Sequence, residues 1–134
     1  MTKREERISL INILYKYELM EWKIDSQKIF IEEEVSKHNL KIVEWIEKKY
    51  DSIKKMILST FTKDWEWFRI NPLIRSILLV GTFELAFLDK KIVINEMIEI
   101  TKEYCEYDKF KFVNGVLDNV SKIYAELKNS KKEN

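Results

Sequence analysis

The stretch Leu73 to Leu88, LIRSILLVGTFELAFL, is apolar around most of a helical circumference and carries only two charges, Arg75 and Glu84. A surface helix shows a single apolar stripe, so this pattern predicts a helix enclosed by other helices. Asn71 stands where an N-cap belongs, and Pro72, the only proline, falls at the first helical position, where its missing N–H costs nothing. A membrane span needs about 20 apolar residues. This run is shorter and holds both charges, which makes it the buried central helix of a soluble domain.

The flanking chain reads as amphipathic helices. A first helix is predicted over about Lys3 to Met20, with Ile8, Ile11, Leu14, Tyr15, Leu19 and Trp22 at helical spacing and Arg4, Glu5, Ser9, Asn12 and Lys16 facing away. Asp25 and Ser26 are N-cap candidates for a short second helix carrying Ile29, Phe30 and Val35, and Ser36 to Asn39 reads as a connection. The third helix has the cleanest period, through Val43, Ile46, Tyr50, Ile53, Ile57 and Phe61. Asp64 to Phe68 is a compact aromatic turn joining the halves, and Asp89 to Lys91 is a brief turn after the central helix. Ile94, Met97, Ile98, Thr101, Tyr104 and Cys105 then form an inner stripe, with Glu96, Glu99, Lys102, Glu103 and Glu106 outside. Asp108 can cap a last helix that turns Phe112, Val116, Val120, Ile123, Tyr124 and Leu127 inward. The lysine-rich end, Lys128 to Asn134, is too poor in apolar residues to be held down and should fray. The expected architecture is all-α, with subdomains 1–62 and 63–134 forming one compact domain around the central helix.

Composition agrees. Two glycines and one proline in 134 residues leave almost no hairpin turn chemistry. The single Cys105 cannot form an intramolecular disulfide, and His38 alone gives no Cys/His cluster at metal-ligand spacing, so no metal or cofactor is expected. No signal-peptide pattern opens the chain, which points to the cytoplasm. A formal net charge of +1 says little about partners, because the placement of basic residues decides nucleic-acid binding.

The sequence shows neither a Gly-rich phosphate loop nor G-x-S-x-G, and no catalytic residues are predicted. His38 reads as a solvated loop residue and Cys105 as a small core residue. Glu96, Glu99, Glu103 and Glu106, spaced three and four apart, read as a solvated helix flank. Two features ask for more. Gly115 lies within a strong helical pattern, where glycine costs about 1 kcal/mol relative to alanine, and close approach of another helix or of a ligand backbone would compensate. Lys3, Arg4 and Arg7 make the start of the first helix basic, although Glu5 and Glu6 interrupt the cluster and could pair with it.

The segment Ile94 to Asp118, INEMIEITKEYCEYDKFKFVNGVLD, resembles without a gap the C-terminal signature of the NusB family of bacterial transcription antitermination factors. IRSILLVGTFEL at Ile74 to Leu85 is similar to the preceding family helix, and ILYKYEL at Ile13 to Leu19 to the motif of the first helix. The likeness runs from Arg4 to about Lys122. It implies an all-helical fold of two subdomains around a central helix. It also implies a non-enzymatic role: binding a short single-stranded boxA element of ribosomal RNA leaders, together with a small-subunit ribosomal protein that doubles as NusE, within the transcription elongation complex. Carried over residue by residue, it assigns RNA contact to Lys3, Arg4 and Arg7, and the ribosomal-protein interface to Asp108, where Glu103, Glu106 and Asp108 read as an acidic border beside Tyr107, an exposed aromatic anchor for a basic partner. Departures are the two glutamates inside the basic run, Leu79 where the family often has arginine, and a shorter loop without proline before Ile94. Two alternatives stand beside this: an RNA-binding module related to the N-terminal part of ribosomal RNA cytosine methyltransferases, and a protein-interaction scaffold with weakened RNA binding. The chain carries no cofactor-binding α/β region, which weighs against the first of them.

Overall fold

A computed structural model describes residues 2–62 and 66–133. Among the described residues the chain forms six α-helices, a short 3-10 turn and no strand. The helices are α1 (Lys3–Leu19), α2 (Ser26–Glu32), α3 (Lys37–Ser59), α4 (Pro72–Leu85), α5 (Lys90–Tyr104) and α6 (Lys109–Glu133), with the turn at Trp67–Arg69. Asp64 and Trp65 of the expected aromatic turn, and the final Asn134, lie outside the described residues.

The starts of α1 to α5 each have a chemical cause. The Thr2 hydroxyl accepts from the Glu5 N–H at 3.1 Å while the Glu5 carboxylate accepts from the Thr2 N–H, a capping box. Asp25, Asn71 and Asp89 cap α2, α4 and α5 through their side-chain oxygens. Ser36 does the same for α3, its Oγ accepting from the Asn39 N–H at 3.0 Å. The residues read as a connection, Ser36 to Asn39, are therefore a cap and a first helical turn. Asn39 is buried there and donates to the Glu6 carbonyl of α1 at 3.1 Å.

α4 packs against α1, α3, α5 and α6, and every residue from Ile74 to Thr82 is buried. The enclosure ends sooner than the apolar run: the helix stops at Leu85, and Phe87 and Leu88 lie exposed in the following turn. Coverage from two sides also shifts the stripes. α1 buries Leu10, Ile11, Ile13, Leu14 and Tyr17, but Leu19 and Trp22 stay largely in solvent past its last turn. α5 buries Val93, Ile94, Met97, Ile100 and Thr101, leaving Tyr104 exposed at its end. α6 buries Val113, Val116, Leu117 and Val120, and it runs on to Glu133 instead of fraying. Lysine and glutamate are good helix formers.

Among the buried polar residues, Glu18 and Arg75 anchor one hydrogen-bonded network. The Arg75 Nε donates to Glu18 Oε1 at 2.7 Å, with 3% of each side chain exposed. Arg75 also donates to the carbonyls of Ile70 at 2.7 Å, Glu18 at 2.9 Å and Trp67 at 3.4 Å. The Tyr50 hydroxyl donates to Glu18 Oε2 at 2.6 Å and the Trp67 indole N–H to Glu18 Oε1 at 3.0 Å. Burial first, then the bond to Glu18, pushes the Tyr50 phenol up, so it stays protonated as a donor.

Gly115 does not have the packing role expected of it. It sits on the exposed side of α6, and an added Cβ would meet nothing within 4 Å. Close packing occurs at Gly81, where a Cβ would lie 3.0 Å from both methyls of the fully buried Leu117 and 3.4 Å from Met97. The two alanine substitutions should therefore differ in sign. Gly115→Ala gains roughly 0.5–1 kcal/mol of helix propensity, whereas Gly81→Ala overfills the α4–α6 contact at a cost of about 1–3 kcal/mol. Urea unfolding of both variants checks this, and a stabilised Gly81→Ala would contradict it.

Candidate nucleic-acid interface

The capping box at Thr2 places Lys3, Arg4 and Arg7 on the first two turns of α1, against the end of α4 and the first half of α5. Both arginines are engaged. Arg4 donates from Nε and Nη2 to the two oxygens of Glu96, at 2.9 and 3.0 Å. Arg7 Nε lies 2.9 Å from both oxygens of Glu84, its Nη2 is 2.8 Å from Glu84 Oε1, and its Nη1 is 3.8 Å from Glu96. Glu5 closes the capping box, and among the described residues neither it nor Glu6 forms an ion pair with the cluster. The counter-charges come instead from α4 and α5. Lys3 is exposed and, among the described residues, without an ion pair.

The pairing fixes the electrostatics. The hydrogen bonds and charge of Glu96 raise the Arg4 guanidinium, and those of Glu84 raise Arg7 against the opposing effect of burial, so both remain cations. In return the Arg4 hydrogen bonds, with the charges of Arg4 and Arg7, hold the Glu96 carboxyl below its ordinary range, against a smaller effect of burial. Glu96 is thus a partner of the basic cluster and not part of a solvated flank. Glu84 had one sequence signal: a charge inside an otherwise apolar, enclosed helix must be paired.

A groove of about 380 Å³ opens beside this cluster, lined by Lys3 and Arg7 of α1, His38 and Ile42 of α3, and Phe83 and Phe87 at the end of α4. His38 is exposed, but it lies in the first turn of α3 and not in a loop. The rings of Trp45 and Phe83 meet edge to face at 5.0 Å between centroids, and Phe87 lies 5.1 Å from Phe83 and 6.1 Å from Trp45.

The other predicted site residues lie in the turn between α5 and α6. Tyr107 is 84% exposed, Glu106 and Asp108 are exposed, and the Tyr107 ring meets Phe110 edge to face at 6.1 Å. Asp108 does not cap α6 through its side chain: among the described residues its carboxylate takes no hydrogen bond, and only its carbonyl accepts, from the Lys111 N–H at 3.4 Å. Glu106 and Asp108 border a cleft of about 800 Å³ whose rim also carries Arg69, Lys109 and Lys111, so the border is of mixed charge rather than acidic. Cys105 lines it half-buried, and burial followed by the Glu106 charge pushes its thiol up, away from reactivity. This cleft meets the first turn of α4, whereas Lys3 and Arg7 sit by its last. With a rise of 1.5 Å per residue, the helix separates the two by roughly 20 Å.

Among the described residues, no group of three or more His, Cys, Asp or Glu side chains could hold a metal ion, and no helix is long and apolar enough to cross a membrane. What the fold presents is a helical bundle with exposed charged and aromatic faces. The profile of the NusB family matches residues 4–122. The transcription antitermination protein NusB of Staphylococcus epidermidis is 30% identical over 128 residues, which cover 90% of this chain and 99% of that protein. Its counterpart from Staphylococcus aureus is 29% identical over 129 residues, covering 91% and 100%. In three dimensions the chain is similar to NusB of T. maritima, with a TM-score of 0.77 at 26% identity over 91% of this chain and 92% of the other. The chain belongs to the NusB family of transcription antitermination factors.

The Glu96 pairing has a pH signature. Its carboxyl is depressed in the folded protein, so its contribution to stability is present above the unfolded value, about 4.3, and is lost as pH falls through the lower folded value. An NMR titration should find the Glu96 midpoint below that reference, and Arg4→Ala should return it upward. An unshifted midpoint would show the pair to be open in solution.

Proposed function

We propose that the protein is a non-enzymatic antitermination factor of the cytoplasm that binds boxA-type single-stranded RNA of ribosomal RNA leader transcripts. It acts with a NusE-type ribosomal protein in the transcription elongation complex. The observation that carries the RNA reading is the basic end of α1, where Lys3 stands open and Arg4 and Arg7 are oriented beside it by hydrogen bonds to Glu96 and Glu84. Phosphate contacts made by fixed cations lose little side-chain entropy on binding. The same carboxylates cancel much of the local charge, so the chain alone binds RNA weakly, and the ribosomal protein supplies the missing affinity. Glu106, Tyr107 and Asp108 form the partner surface in this reading: Tyr107 offers an aromatic anchor, and the Asp108 carboxylate, unpaired among the described residues, steers a basic protein.

Fluorescence anisotropy with a boxA-type RNA at several salt concentrations tests the RNA assignment. Three phosphate contacts would give a log–log salt slope near −2, from roughly −0.7 per contact. Lys3→Ala should weaken binding and flatten the slope by about one contact, and Glu96→Gln, which removes the neutralising charge beside Arg4, should strengthen binding. If neither variant changes affinity, RNA contact does not occur at this end of α1.

A further inference from the structure

Phosphate contact leaves the aromatic wall of the α1 groove without a role. Phe87 exposes 64% of its surface in the turn after α4. Its ring is nevertheless backed, with Phe83 at 5.1 Å and Trp45 at 6.1 Å, while Phe83 and Trp45 meet each other at 5.0 Å. Trp45 is in turn covered by the Lys49 ammonium, 5.3 Å from the ring centroid. The pile is ordered from the core outward, and its outermost ring faces water; it lines the same groove as the Lys3 ammonium, which has no ion pair among the described residues. Leu88 and Ile92, also exposed, carry the apolar surface on past Arg4.

We propose that Phe87 is a stacking platform for one base of the bound single-stranded RNA, with Lys3 holding an adjacent phosphate. The proposal rests on the RNA-binding reading above and names a contact within it. Single-strand binding joins a positively charged track to aromatic faces on which bases stack, and stacking needs no hydrogen-bond partner at the base edge. The groove matches that requirement. Its lining is mostly hydrocarbon, its one arginine, Arg7, is turned to Glu84, and Lys3 is its cation without an ion pair among the described residues. An apolar side chain of a protein partner would fill the groove but leave the Lys3 ammonium without a counter-charge. A nucleotide satisfies ring and ammonium together.

The test uses the full chain, with and without the ribosomal protein, and a fluorescently labelled boxA-type RNA alongside versions made abasic at successive positions. Phe87→Ala should weaken binding by about five- to 150-fold, the span of a lost base–aromatic stack, without changing the salt slope. Phe87→Trp should retain affinity. One abasic position should weaken binding to the wild-type chain and have no further effect on Phe87→Ala. Because Phe87 is largely exposed, circular dichroism should show Phe87→Ala folded like the wild type. Wild-type RNA affinity in Phe87→Ala, with Lys3→Ala still impaired, would overturn the stacking role and leave the RNA-binding reading standing. Loss of ribosomal-protein binding in Phe87→Ala, with RNA binding intact, would overturn it in favour of a protein anchor. Failure of the wild-type chain to bind RNA, even with the ribosomal protein, would overturn the RNA-binding reading itself and this contact with it.

Discussion

A guanidinium and a carboxylate bonded at 2.7 Å, each side chain 3% exposed, hold the structure in one arrangement. Arg75 of α4 and Glu18 of α1 are 57 residues apart in sequence, and the bonds around them draw in Tyr50 of α3 and the Trp67–Ile70 segment that leads into α4. An unpaired charge in such a place costs several kcal/mol, so alternatives that slide α1 along α4 are heavily penalised. The pairing of Arg7 with Glu84 repeats the constraint at the opposite end of the same two helices. Two ion pairs, one at each end, set the direction and register of α1 against α4. That register in turn brings Lys3 to the groove lined by the Phe83 and Phe87 rings, which Trp45 backs.

The charged surface follows from the same economy. Arg4 and Arg7 would form a strong positive patch on an isolated helix. Packed, they meet Glu96 and Glu84, so much of their charge goes to tying three helices together. What remains outward is one lysine and an apolar, aromatic groove. The face around Asp108 lies at the other end of α4 and mixes Glu106 and Asp108 with Arg69, Lys109 and Lys111. A partner spanning both ends would have to follow the length of α4.

Local chemistry was legible in the sequence. The buried helix announced itself by its apolar circumference and by Asn71–Pro72 at its start, Asp25 was visible as a cap, and the INE and KFVNGVLD segments carried the family. Relations across the fold were not. Periodicity marks a helix but does not say which side meets a neighbour, and so Gly115 looked like a packing residue while Gly81, hidden in the uniformly apolar run, held that role. Glu96 looked solvated because its spacing matched Glu99 and Glu103, and only the fold brings Arg4 to it across 92 residues. Ser36 was passed over because the preceding IEEEVS segment has no apolar period to end. Phe87 and Leu88 looked buried because helical spacing continues past the residue at which the helix stops.

The dependence of the fold on the buried pair is tested most directly by a double-mutant cycle on Glu18→Leu and Arg75→Leu, read by urea unfolding. Each single substitution strands a buried charge and should cost about 3–5 kcal/mol. The double variant removes both charges and should cost clearly less than the two singles together, exposing a large favourable coupling. Strictly additive losses would contradict the account, because they would mean that the two groups do not depend on each other and that something else sets the register of α1 on α4.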